Sequence, residues 1–421
     1  MVIPLAGWMS ERFGSKRVWM VSVALFGLGS AVCGVAASPE MLIGFRILQG
    51  LGGGMIMPVG MSILAQTAGP RRIGRVMSVI GVPMLLGPIL GPVVGGLIVG
   101  SASWRWIFYV NVPIVVAALV LGARLLQPGT GRADAGRLDA VGLALLSPGL
   151  ACIVFGLSET ESHGGIGDPG AFAPIVAGVL PVALFVRHAS RAARPLVDLR
   201  LFRSRHFSAA AATTFLVGAA AFGALLILPL YYQVGRGDSA LTAGLLMAPQ
   251  GIGAALAMPI AGRLVDRVGA GRVAMVGCTV MALATLPLAS LTAGTPDALL
   301  TGVLVLRGLG LGAAMMPAMA AAYARLDSDQ VPRATSALNA IQRVGGSIGT
   351  ALVAVVLQHQ ARAVVGAGGS GALLEPIPAT VRAHIAGPLA TAFGHTFAWA
   401  AGLGLIAVAS AAVLALTERD A

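Results

Sequence analysis

Charge is scarce in this chain. Of its 421 residues only 10% are Asp, Glu, Lys or Arg, against roughly a quarter in an ordinary soluble domain. Such a surface cannot face water on all sides, so a soluble catalytic or binding domain is excluded. Lysine is almost missing, with Lys16 alone among 28 basic residues, and acids number only 16. The net charge of +12 nevertheless does not describe a nucleic-acid binder, because the basic residues sit in short clusters between apolar runs rather than along one face. Cysteine is scarce too. Cys33, Cys152 and Cys278 lie far apart inside apolar runs without metal-ligand spacing, which predicts buried free thiols, and the six histidines have no such spacing either. A cleavable leader is also absent from Met1 to Met9, which is too short and is followed by charges.

What is plentiful is apolar and small. Hydrophobic residues make up 57%, mean hydropathy is +0.88, and there are 58 glycines and 24 prolines. Small residues would weaken a soluble bundle, whereas in lipid they let helices approach closely. Runs long enough to cross a bilayer fall at 18–37, 41–65, 76–100, 107–126, 139–158, 171–187, 207–232, 241–262, 273–293, 298–324, 335–357 and 391–416, making twelve complete spans. The apolar stub at the start is shorter, since nine residues at ~1.5 Å each cover less than half of a ~30 Å core. It predicts the tail of a helix whose beginning, with one further helix before it, lies upstream.

The loops alternate in charge. Taking the first charged loop as cytoplasmic puts 21 basic residues on one side and only Arg105, Arg236, Arg362 and Arg382 on the other, which orients the chain with a cytoplasmic C-terminus. Trp104, Trp106, Phe108 and Tyr109 then read as an aromatic belt at the outer boundary.

One loop occurs twice. Gly7, Glu11, Arg12, Gly14 and Arg17 recur in register, 255 residues later, as Gly262, Asp266, Arg267, Gly269 and Arg272. A tight turn between helices needs glycine where backbones touch, and the acid is placed to meet helix N-terminal amides or an arginine across the bundle. The motif resembles the signature loop of the major facilitator superfamily, G-x-L-a-D-R-x-G-R-K, from which Met9, Glu11 and Ser15 depart. Arg46, Gln49, Gly50 and Gly52 match that family's R-x-x-Q-G-x-G motif. Gly87, Pro88, Gly91, Pro92, Gly95 and Gly96 resemble its antiporter signature, in which glycines spaced by four form a smooth packing face while the prolines bend the helix. Arg307-Gly308-Leu309-Gly310 echoes the Arg46 motif. Asn339, Gln342, Arg343 and Ser347 put a polar face inside a span, as in the fourteen-helix drug:proton antiporter branch.

The resemblance implies an all-α integral membrane protein with the major facilitator fold. It would have two pseudo-symmetric bundles, 1–126 and 207–421, and two extra helices within 127–206. It also implies a proton-coupled exporter of small amphipathic or drug-like molecules, working by alternating access as a monomer in the plasma or bacterial inner membrane, driven by the proton gradient without a cofactor. The alternative is a non-transporting truncated fragment or scaffold. Arg46, being inside a span, is the expected coupling residue. Met55, Phe222, Gln250, Met315, Asn339, Gln342 and Arg343 are the expected cavity residues, and flexible thioethers with aromatics suit apolar, often cationic ligands. No acid lies at mid-span to carry the proton; the branch normally has an aspartate for this in its first helix. Gly366 to Gly371 fits G-x-G-x-x-G but follows no strand, so it reads as a flexible linker.

Overall fold

The computed structural model describes residues 2–68, 102–127, 138–163, 168–192, 195–292, 294–327, 330–365 and 379–419, with isolated positions between 76 and 98. It contains helices and no strand among the described residues. Their order is α1 (Leu5–Phe13), α2 (Ser15–Gly34), α3 (Pro39–Ala68), a short turn Trp106–Tyr109 leading into α4 (Asn111–Leu125), α5 (Ala140–His163), α6 (Pro169–Ala189), α7 (Arg205–Leu230), α8 (Ala240–Val268), α9 (Ala270–Thr285), α10 (Asp297–Tyr323), α11 (Val331–Val365) and α12 (Ala379–Arg419). Among the described residues eleven helices are long and apolar enough to cross a membrane, and they coincide with eleven of the twelve expected runs. The remaining run, 76–100, is described only at scattered positions.

The burial pattern is that of a bundle in lipid. Large apolar side chains such as Val21, Ile43, Ile114, Leu180, Leu256 and Leu405 are among the most exposed, while alanine, glycine and methionine fill the interior. A large buried cluster joins α8, α9 and α10 through Met258, Met281, Met315, Met316 and Met319, with Val217 of α7 and Leu414 of α12 packed into it. Cys33 and Cys278 are buried as expected, and Cys152 is only partly so.

Glycine sets the closest approaches. A Cβ at Gly310 would lie 2.8 Å from the Gly277 carbonyl oxygen and 2.7 Å from Met281 Cα, so α9 and α10 touch backbone to backbone. The α5–α6 hairpin closes the same way, with a Cβ at Gly149 only 3.0 Å from the Gly178 carbonyl oxygen. Gly14 at φ 86° and Gly269 at φ 95° occupy the left-handed region that side chains disfavour, and each separates two helices at one copy of the repeated loop. Ser204 and Ser239 cap α7 and α8 by accepting hydrogen bonds from Phe207 and Thr242. One element binds the rest together, for α11 packs on α7 and α12 and also on α1, α3 and α5.

Gly310→Ala is expected to destabilise the purified protein by about 1–3 kcal/mol in thermal unfolding, since α9 and α10 must separate to admit the methyl group. Gly302→Ala, where an added Cβ meets nothing within 4 Å, should leave the melting temperature unchanged or raise it slightly.

Candidate functional site

Two features face each other along the bundle: an ion-paired closure at the end carrying the α1–α2 turn, and a cavity extending from the middle toward the opposite end. At the closure, Glu11 in the last turn of α1 meets Arg333 in the first turn of α11. Arg333 Nε donates to Glu11 Oε1 at 2.8 Å and Nη2 to Oε2 at 2.8 Å, a two-pronged pair with both side chains under a fifth exposed. Arg333 Nη1 also donates to the Pro195 carbonyl at 3.4 Å, tying in the segment between α6 and α7. Gly7, one turn before Glu11, makes the meeting possible, because a Cβ there would stand 3.1 Å from both Arg333 Cα and the Pro332 carbonyl oxygen. An arginine across the bundle was one of two partners expected for this acid; that it is Arg333, ordinary loop charge in the sequence, is a matter of tertiary placement.

The second copy of the loop keeps the backbone and loses the bridge. Gly262 is buried as Gly7 is, but Asp266 and Arg267 are exposed, and Asp266 has no ion pair among the described residues. Each turn is instead anchored to the last helix of its own half. Lys16 donates to the carbonyls of Ala123 and Leu126 at the end of α4, and Gly271 N donates to Glu418 Oε1 near the end of α12 at 2.9 Å. Arg12 and Arg17 are exposed.

The cavity has a volume of about 1010 Å³ and is walled by both halves and by α5. Arg46 lines it seven residues into α3, ~10 Å along the helix. Its Nη1 donates to Gln49 Oε1 at 3.2 Å and its guanidinium lies 4.7 Å from the centre of the Phe108 ring. Gln49 and Gly50 line the cavity beside it. Phe108 was expected at the membrane boundary with Trp104 and Trp106; those two are exposed, whereas Phe108 is 5% exposed and turns inward beneath Arg46. No periodicity distinguishes it from its neighbours. Asn111, whose Nδ2 donates to Ser30 Oγ at 3.1 Å, is another lining residue that the sequence did not single out.

On α11 the polar face divides into two stripes. Ala340, Arg343, Ser347 and Thr350 follow helical spacing into the cavity. Asn339 and Gln342, expected there, point into packing instead: both are buried, Asn339 Nδ2 bonds the Thr335 carbonyl at 2.9 Å, and a Cβ at Gly218 on α7 would lie 2.8 Å from the Gln342 carbonyl oxygen. One residue along a helix rotates a side chain by ~100°, enough to move it from lumen to core. Of the other expected cavity residues, Phe222 lines the space, while Met55 and Met315 are buried in packed clusters.

Gln250 has another task. It is buried, and its Oε1 accepts from Arg307 Nη1 at 2.7 Å. Arg307, the counterpart of Arg46, is 1% exposed and also donates to Thr285 Oγ1 at 3.3 Å and to the Ala220 carbonyl at 3.2 Å. In the antiporter-like motif, Gly87 and Gly91 are helical and exposed, and a Cβ at either or at Gly95 meets nothing within 4 Å. Pro88, Pro92 and Gly96 lie outside the described residues, as do Gly366 to Gly371.

A second polar latch sits beside the closure. Asp139 accepts from Gly142 N at 2.8 Å, from His188 Nε2 at 2.8 Å and from Leu196 N at 3.2 Å, joining both ends of the α5–α6 hairpin to the segment that Arg333 also holds. Burial by itself would raise the Asp139 pKa. These donors outweigh it and hold the carboxyl below the ordinary aspartate value.

Residues 1–350 match the family described as Major Facilitator Superfamily. The multidrug resistance protein B homolog of Mycobacterium tuberculosis (strain H37Rv) is 44% identical over 362 residues, which are 85% of this chain and 67% of that protein. The multidrug export protein EmrB of Escherichia coli (strain K12) is 29% identical over 351 residues, 83% of this chain and 69% of its own length. Among solved structures, the human organic anion transporter MFSD10 superposes with a TM-score of 0.64 over 97% of this chain and 80% of that one, at 17% identity, a likeness of fold alone.

A double-mutant cycle of Glu11→Gln and Arg333→Gln, read by thermal unfolding, should give a coupling of about 1–3 kcal/mol. Asp139→Asn should destabilise throughout the neutral range. Because the folded pKa is depressed, the stabilisation is complete above the ordinary aspartate value of about 4 and is lost as the pH falls below it. The stability difference between wild type and Asp139→Asn should therefore shrink as the pH falls below about 4.

Proposed function

The chain belongs to the major facilitator superfamily, and from that premise we propose that it is a proton-coupled exporter of amphipathic, drug-like small molecules. It is a transporter rather than an enzyme, and its multidrug-resistance relatives point to drug efflux. The observation that carries the reading is a cavity of about 1010 Å³ walled by both halves of the chain, in a bundle whose α1 and α11 are tied together beyond the cavity by the Glu11–Arg333 pair. That is the arrangement alternating access requires, with a central site reached from one side while the other is shut. A scaffold would have no use for it.

The closed end carries the basic loops, so the positive-inside bias makes it cytoplasmic and the cavity outward-facing. Breaking Glu11 from Arg333 would release α1 from α11 and open the cytoplasmic side. The latch of Asp139 on Leu196 would move with it, because both hold the segment between α6 and α7. Arg46 is the residue on which coupling turns. It cannot lose its own proton, but its charge biases any titrating group or substrate that enters the cavity. Proton coupling is supported by the antiporter-like signature at Gly87 to Gly96, and the unit is a monomer with its C-terminus in the cytoplasm.

Cells expressing the chain should survive members of a toxic-compound panel that kill control cells, and a protonophore should abolish the protection. Arg46→Ala should reach the membrane in normal amount and export nothing; wild-type efflux from this variant would refute its coupling role. Protection that persists with the protonophore present would remove the proton from the mechanism.

A further inference from the structure

The cavity has a sign. Two of its lining residues, Arg46 and Arg343, carry fixed positive charge, and none is an aspartate or glutamate among the described residues. Guanidinium groups stay protonated at every physiological pH, so this charge cannot be relieved by titration. Arg46 has two neutral partners, the amide oxygen of Gln49 and the face of Phe108. Arg343 stands exposed to the lumen and makes no hydrogen bond or ion pair among the described residues.

The contrast with Arg307 gives that freedom meaning. Arg307 lies in the same protein, also inside a span, and is satisfied by three acceptors in a closed core. An intramembrane arginine left unsatisfied in a water-accessible lumen is costly to keep and marks a ligand path. The rest of the wall is suited to the body of an amphipath. Phe26 of α2, Phe155 of α5 and Phe222 of α7 offer aromatic surface from three elements, while Ser347 and Thr350 place hydroxyls one and two turns from Arg343 on its own face.

We propose that this cavity selects organic anions: an aromatic body seated against the phenylalanines, with a carboxylate or sulfonate paired to Arg343 and Arg46 supplying the second positive charge. This deepens the exporter reading and rests on it. An ammonium ligand would enter against two like charges with no counter-charge on the wall, whereas a carboxylate can take the two-pronged hydrogen bonds a free guanidinium offers. The methionines that favoured cationic ligands in the sequence, Met55 and Met315, are buried in packed clusters and do not reach the lumen. An anion leaving a cell also moves in the direction favoured by an inside-negative potential, so charge class and direction of export agree.

The test is equilibrium binding to the full purified chain in detergent, using one pyrene ring carried in turn by a butyrate, a butanol and a trimethylammonium group. The butyrate should bind saturably and at least tenfold more tightly than the ammonium, with affinity falling as salt rises. Arg343→Gln should weaken butyrate binding about tenfold, Arg343→Lys should recover most of the loss, and Arg343→Glu should shift preference toward the ammonium. Equal affinities, or preference for the ammonium, would overturn anion selectivity in the wild-type protein whatever the variants do. That result leaves export intact, because the toxic-compound panel reads transport independently. No saturable binding of the butyrate also overturns the proposal, and combined with a panel that shows no protection it removes the exporter reading as well.

Discussion

A guanidinium inside an apolar bundle cannot escape its charge, so something must solvate it, and that requirement organises this molecule. Three of the arginines among the described residues, Arg307, Arg46 and Arg343, lie well inside spans and are met in three ways. Arg307 is enclosed by Gln250, Thr285 and the Ala220 carbonyl, which fixes α7, α8, α9 and α10 as one body. Arg46 is half-satisfied by Gln49 and Phe108 at the edge of the lumen. Arg343 faces the lumen without a partner among the described residues. Along this series a residue that builds structure gives way to one available for function, with no change in side-chain chemistry.

The series depends on how closely the helices approach. With little hydrophobic drive between helices in lipid, packing comes from backbone contact across small residues, and glycines at 29 and 52 provide it in the first half, at 149 in the α5–α6 hairpin, and at 277 and 310 in the second half. α11 is different, because it packs on helices of both halves and on α5. Its first turn carries Arg333 to the closure and its middle carries Arg343 to the cavity. A movement of α11 that breaks the first contact must shift the second, since a helix transmits displacement along its axis. Closure and ligand charge are thereby joined in one rigid element.

The internal repeat is kept in backbone and broken in chemistry. Gly14 and Gly269 make the same left-handed turn, and each following helix is anchored to the last helix of its half. Yet Glu11 has an arginine across the bundle and Asp266 has none among the described residues. Arg46 faces the lumen while Arg307 is sealed. A protein that must be closed at one end and open at the other cannot use both copies of a motif in the same way at once, and the differing partners are how one sequence pattern takes two conditions.

The sequence by itself determined what any apolar chain with this spacing must do. Eleven runs became helices able to span a membrane because backbone groups in lipid have to be satisfied within each segment, and the glycine breaks, the family and the candidacy of Arg46 followed from local pattern. It could not decide which of two neighbouring polar residues reaches the lumen. Gln342 and Arg343 differ by one position, or ~100° of rotation, and only the docking of α11 on α7 turned the first inward and left the second free. Arg333, Phe108 and Asn111 acquired their places in the same way, through partners 322, 62 and 81 residues distant in the chain: Glu11, Arg46 and Ser30. Local pattern settles where a helix forms, but the sign and shape of a cavity belong to contacts between helices, which exist only once the bundle has closed.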